Sequence, residues 1–176
     1  MVSLGLVIDH LKLEYDGTFD LKGLFRLIAN WAFERDMEKT EVKNTEHDLP
    51  EGKALDHEIF YTKRLSDYTI LVFRIRILCF NIKKVELMKE KRREKLDQGR
   101  VVIILDSFVQ NDSENKWDDL PILVFFRTMF DKFIYKVYTE RFERQTAKFT
   151  HELYQLIEKF LNVYTHPKLM VKTPKF

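Results

Sequence analysis

The stretch YTILVFRIRILCFN, Tyr68 to Asn81, decides the fold. As a helix it is too short and too charged to cross a membrane, because a span needs roughly 18 or more apolar residues and Arg74 and Arg76 interrupt this one. Its β-branched and aromatic content fits a strand instead. With a period of two, Phe73, Ile75, Ile77 and Cys79 share one face, while Val72, Leu78 and Phe80 share the other with the two arginines. Apolar residues on both faces predict a central place in a sheet.

Working outward, Leu55 to Lys63 is a second strand, joined to the first by the short polar RLSD, so the two are expected to pair antiparallel. Val85 to Met88 and Arg100 to Val109 bracket a highly charged run, LMKEKRREKLDQGR, in which KEKRREKLDQG reads as the tip of a long hairpin or a short helical insert. Toward the N-terminus, Leu11 to Tyr15 alternates as a half-buried strand, and YDGTFD reads as a turn. Asp20 then offers a side-chain cap to a helix over LKGLFRLIANWAFERDM, whose Leu21, Leu24, Phe25, Ile28, Trp31 and Ala32 recur on one face. Thr40 to Thr45 is a further strand candidate, and EHDLPEG reads as a loop.

After the turn-forming QNDSENKWDD, Pro121 suits the first turn of a helix, and the pattern stays helical to Tyr164. Phe125, Met129, Phe133 and Val137 form one face of this region, followed by Phe149, Leu153, Leu156, Ile157, Phe160 and Leu161. With no proline or glycine between Pro121 and Tyr164, it is one helix or two joined near Thr139. The expected fold is therefore α+β: an antiparallel sheet of four to six strands, an N-terminal helix, and one or two long C-terminal helices packed on one face. Residues 1–164 are expected to form a single domain and 165–176 a short basic tail.

In element order the chain resembles the helix-grip family, in which a curved antiparallel sheet wraps a long C-terminal helix around an apolar cavity. That resemblance implies a cavity but carries no motif, and C-terminal helices outside a flat sheet are an equal alternative. YDGTFDLKGLFRLIANW with the later WDDLPILVFFRTMFDKF is also similar to small uncharacterised archaeal α+β proteins. This second resemblance implies no activity.

A hydrophobic fraction of 45%, with 14% aromatic, excludes an intrinsically disordered chain. The single cysteine, Cys79, excludes an intramolecular disulfide and a cysteine-rich zinc site, and fits a reducing compartment. MVSLGLVIDHLKLEY has neither the basic nor the long apolar region of a signal peptide. A soluble, cytoplasmic protein is expected.

Motifs for nucleotide binding, zinc proteolysis and serine hydrolysis are absent, and the five glycines and five histidines are scattered along the sequence. His57, within DHE, cannot share a strand face with its immediate neighbours, so no metal or cofactor is assigned. Cys79 in an apolar strand reads as packing rather than as a nucleophile. The expectation is a protein without catalytic residues.

Three features carry the functional reading. Arg74 and Arg76 are two apart on one strand face, and so form either an anchor for an anion or acidic ligand or a pair neutralised by neighbouring acids such as Glu58 or Asp106. The aromatic series around Tyr135 and Tyr138 exceeds what one buried face needs, which makes these two tyrosines a candidate partner surface. Lys83 to Arg100 carries a net charge of +4 and the tail +3, leaving −5 on the rest of the chain. Such segregation points to an electrostatic contact through Lys89, Lys91, Arg92, Arg93, Lys95 and Arg100. The interspersed acids and the lack of aromatic residues in this segment argue against sequence-specific reading of single strands.

The expected function is thus a non-enzymatic, RNA-binding or ribosome-associated interaction protein, contacting RNA, a ribonucleoprotein or a protein partner, with a second copy of the chain as a further candidate. The alternative is a carrier holding a small apolar or acidic ligand between sheet and C-terminal helix, anchored by Arg74 or Arg76.

Overall fold

Five strands and two helices follow one another as β1 (Ser3–Phe19), α1 (Leu21–Phe33), β2 (Glu38–Leu49), β3 (Gly52–Ser66), β4 (Thr69–Lys89), β5 (Arg92–Asn111) and α2 (Lys136–Asn162). The computed structural model describes residues 3–66, 69–89, 92–111 and 136–163, with side chains for 5–66, 69–86, 95–110 and 140–163. The strands form one antiparallel sheet in the order β1-β5-β4-β3-β2, so the strand that holds Tyr68 to Asn81 is central, as its two apolar faces predict.

The alternation along β4 separates two environments. Leu71, Phe73, Ile75, Ile77 and Cys79 are all buried and face the helices, whereas Val72, Arg74, Arg76 and Leu78 are half-buried and Phe80 is exposed on the other side. Trp31 of α1 meets Phe73 edge-on with ring centroids 5.6 Å apart, and Phe149 of α2 lies 6.4 Å from the same ring. Both helices therefore cover one face of the sheet, and burial of this layer is the main stabilising contribution. Arg35, just past the end of α1, ties it to the middle of α2: its guanidinium stacks 5.1 Å from the Trp31 ring and 5.3 Å from that of Phe149, and pairs with Glu152 at 2.9 Å.

Several local expectations need correction. YDGTFD is not a turn, because β1 continues through it in register with β5 as far as Phe19↔Asp97. EHDLPEG contributes most of its residues to β2 and β3, leaving only a tight turn at Pro50 and Glu51. Helix α1 stops at Phe33, short of Met37, because Asp36 adopts a left-handed conformation (φ 52°) and the Met37 N–H turns back to the Ala32 carbonyl at 3.1 Å. Asp20 occupies the N-cap position without a side-chain hydrogen bond. The Leu21 N–H instead points at the carboxylate of Asp97, 3.4 Å away on β5.

Helix α2 runs unbroken through Thr139 for 27 residues, so no joint occurs there. Leu153, Ile157 and Leu161 are buried along it as the periodicity predicts, but Leu156 faces outward. The proposed helical start at Pro121 and the tail from residue 165 lie outside the described residues.

One irregularity sets the shape of the sheet. Between Phe80 and Lys83 β4 holds one residue more than β5 opposite it, and Asn81 takes a left-handed conformation (φ 55°). Glycines flank this bulge on both neighbouring strands. A Cβ on Gly99 would lie 2.7 Å from the Phe80 carbonyl oxygen, and one on Gly52 would lie 2.8 Å from the Asn81 carbonyl carbon. Gly17 of β1 stands opposite Gly99, so three glycines that are remote in sequence align across the sheet at one level.

Candidate functional site

Beyond that level the sheet narrows to two strands. β1 leaves β5 at Phe19↔Asp97, and β3 takes up β4 at Lys53↔Ile82. The register pairs from Val85↔Leu96 to Lys89↔Arg92 therefore have no third strand beside them among the described residues. KEKRREKLDQG is accordingly the end of a hairpin rather than a helical insert, and its five free pairs extend roughly 17 Å. Lys89, Arg92 and Arg93 hold backbone positions near its end, and Lys91 lies outside the described residues.

The root of this ribbon is fixed to the body. Asp97 is buried beneath the start of α1, where it faces the Leu21 N–H and pairs with Lys84 at 2.6 Å. Arg100 pairs with Glu14 at 3.0 Å across to β1. Lys95 reaches Glu86 only at 3.9 Å with both side chains exposed, a contact of little energetic weight. Two cations at the root, Lys84 and Arg100, are thus compensated by acids of the body.

Arg74 and Arg76 point away from both helices, on the opposite face of the sheet, and so do not enter the layer between sheet and α2. Arg74 donates from Nε to Glu58 at 2.6 Å and approaches Asp106 at 3.4 Å. Arg76 makes a two-pronged contact with Asp56 at 2.9 and 3.2 Å, and Lys43 reaches the same carboxylate at 2.5 Å. The Arg76 hydrogen bond, seconded by Lys43, holds the Asp56 carboxyl down at about 2. Glu58 and Asp106, the acids named from the sequence, thus both meet Arg74, whereas Arg76 is held by Asp56, which the sequence reading did not name.

A further cluster continues this row to the sheet edge. Between Leu6 and Leu11 β1 carries two residues more than β5 opposite, and His10 adopts a left-handed conformation (φ 52°). The His10 N–H donates to Asp106 Oδ1 at 2.6 Å. Its ring Nδ1 contacts Asp9 Oδ1 and lies 3.4 Å from Asp106 Oδ1. The hydrogen bond to Asp9, followed by the charge of Asp106, raises the His10 pKa. Sequence reasoning passed over this group, although one signal was present: Asp9 occupies the inward phase set by Val7, Leu11 and Leu13, and a charge at such a position marks a bulge.

The other candidates stand apart. His57 is buried against Phe25, with ring centroids 5.1 Å apart, and burial lowers its pKa. The Cys79 thiol is pushed up to about 12 by burial, which suits packing and not nucleophilic attack. Tyr135 lies outside the described residues, and of Tyr138 only the backbone, within α2, is described. An open groove of about 370 Å³ between β1 and α2 is lined by Val7, Glu140, Glu143, Arg144 and Ala147, on the side of the sheet opposite Arg74 and Arg76. No described helix is long and apolar enough to cross a membrane.

Comparison with protein-family models, with curated proteins and with solved structures finds no match.

Proposed function

We propose that this chain is a non-enzymatic binding protein whose β4–β5 ribbon contacts the phosphate backbone of RNA or a ribonucleoprotein. The observation that carries this reading is that five of the eight cations of the net-positive segment, Lys89, Lys91, Arg92, Arg93 and Lys95, belong to the part of the hairpin that outruns both neighbouring strands. With no third strand beside it among the described residues, the ribbon offers a polyanion an approach along both edges. Its anchored root, at Asp97 and Arg100, gives those cations a defined position. Lys89, Lys91, Arg92, Arg93, Lys95 and Arg100 are the contact residues in this proposal, with Tyr135 and Tyr138 as a secondary partner surface.

Phosphate contacts release counterions, so each one lost should reduce the salt slope of binding by about one unit. Replacing Lys89, Lys91, Arg92, Arg93 and Lys95 by Ser should weaken RNA or ribosome association chiefly at low salt, measured by filter binding and by co-sedimentation. The same replacement of Lys12, Lys22 and Lys39, which lie outside the ribbon, should leave binding unchanged. Equal effects from the two sets, or none from either, would reject the proposal.

A further inference from the structure

The cluster at the β1 bulge has a composition and geometry that the phosphate-contact reading does not use. Its three donor atoms, from Asp9, His10 and Asp106, all lie within 4.8 Å of one another. They form a mixed nitrogen and oxygen set, which borderline cations such as zinc prefer. With bonds of about 2.1 Å, adjacent donors around a tetrahedral zinc ion lie roughly 3.4 Å apart. His10 Nδ1 and Asp106 Oδ1 stand at 3.4 Å, and the proton through which Nδ1 contacts Asp9 would be released to solvent when the ion takes its place.

The surroundings favour a cation in three further ways. Asp106 is only 3% exposed, and its Oδ2 is turned toward Arg74, so that Oδ1 is directed to His10 and Asp9. Arg74 thus orients the carboxylate from behind, as residues behind metal ligands commonly do. The positive charge of Arg74 is already shared with Glu58 at 2.6 Å. Asp9, Asp106 and Glu58 against Arg74 leave two negative charges when His10 is neutral, which a divalent cation would balance. The Asp9 and His10 side chains are 64% and 67% exposed, so an ion has a path in and room for water at its remaining positions.

The bulge itself assembles the set. In a regular strand Asp9 and His10 would point to opposite faces, and the extra residues of β1, with the left-handed turn at His10, bring both beside Asp106. We propose that Asp9, His10 and Asp106 bind a divalent transition cation of the zinc type, which fastens the bulge of β1 to β5. The inference is independent of the ribbon's partner.

The test is titration of the full, untagged, chelator-treated chain with zinc chloride by calorimetry, and with cobalt(II), whose visible absorption reports a tetrahedral site. One saturable equivalent is expected, with a rise in the unfolding midpoint of the native chain. His10→Ala and Asp9→Asn alter exposed side chains and should keep the far-ultraviolet circular dichroism spectrum while weakening zinc at least about tenfold. His47→Ala, at an exposed histidine on β2, should bind as the native chain does. Failure of the native chain to saturate, binding undiminished in both bulge variants, or an equal loss in His47→Ala would overturn the proposal.

Discussion

The two faces of β4 obey different physics although they alternate residue by residue. On one side Phe73, Ile75, Ile77 and Cys79 are sealed under α1 and α2, and stability comes from area removed from water and close packing. On the other, Arg74 and Arg76 lie in a row of opposite charges that runs from Lys43 on β2 to Asp9 on β1. Ion pairs at half-exposed positions contribute little net stability, but each limits which strand can lie beside which. The contrast teaches that one strand can supply cohesion with one set of side chains and organise polar groups with the next.

The sharpest way to break the comparison is at Phe73, which both helices touch. Phe73→Ala should cost about 3–5 kcal/mol in urea unfolding, because the cavity lies between sheet and helices and cannot fully collapse. A loss under about 1 kcal/mol would mean the two faces are energetically alike. On the charged face, Arg74→Ala leaves the buried Asp106 facing the N–H and ring of His10 without its guanidinium partner, and the expected loss is about 1–3 kcal/mol, moderated because the guanidinium is partly solvated. Adding Asp106→Asn should recover part of that loss. If the double variant loses the sum of the two single effects, the pair is not coupled.

His57 sharpens the comparison from the apolar side, where it is a buried titratable group. Its folded pKa is lowered by burial, so the unfolded chain takes up the proton more readily. The associated stability is complete above the unfolded value of about 6.5 and is lost as pH falls through the folded value. Urea midpoints should therefore drop between pH 7 and pH 5, and His57→Phe should flatten that drop. A native profile already flat over this interval would contradict the assignment.

The smallest effect is expected at Asp56. Arg76 and then Lys43 hold its carboxyl at about 2, so its contribution is present above about pH 4 and vanishes as pH falls through about 2. Because these partners are substantially exposed, Asp56→Asn should cost less than about 1 kcal/mol at pH 7. A carboxyl titration by nuclear magnetic resonance with a midpoint near 4 would show that the contact does not persist in water.

Much of the architecture was legible because its signals are local. Six residues of LKGLFRLIANWAF at helical spacing announced α1, and the short RLSD announced the antiparallel β3–β4 pair. The end of α1 was misjudged because nothing in the local pattern marks Asp36 as left-handed. Aspartate adopts that conformation only where the turn and its hydrogen bonds offset the strain. The acids that meet Arg74 were foreseen by residue type, since Glu58 and Asp106 lie on apolar strands and a charge there needs a partner. The Asp9, His10 and Asp106 cluster was not seen, because it depends on two extra residues in one strand.

By itself the sequence determined the α+β class, the strand and helix periods, and the two faces of β4, all of which follow from where apolar residues recur within a few positions. Only the tertiary structure decided that β1 pairs with β5 along most of its length, that Gly52 and Gly99 meet at the β4 bulge with Gly17 opposite Gly99, and that Asp97 lies under α1. Periodicity says which way a side chain faces, but not which distant strand lies beside it or in what register. Those choices are made when the whole sheet closes over its core and every buried polar group must find a partner.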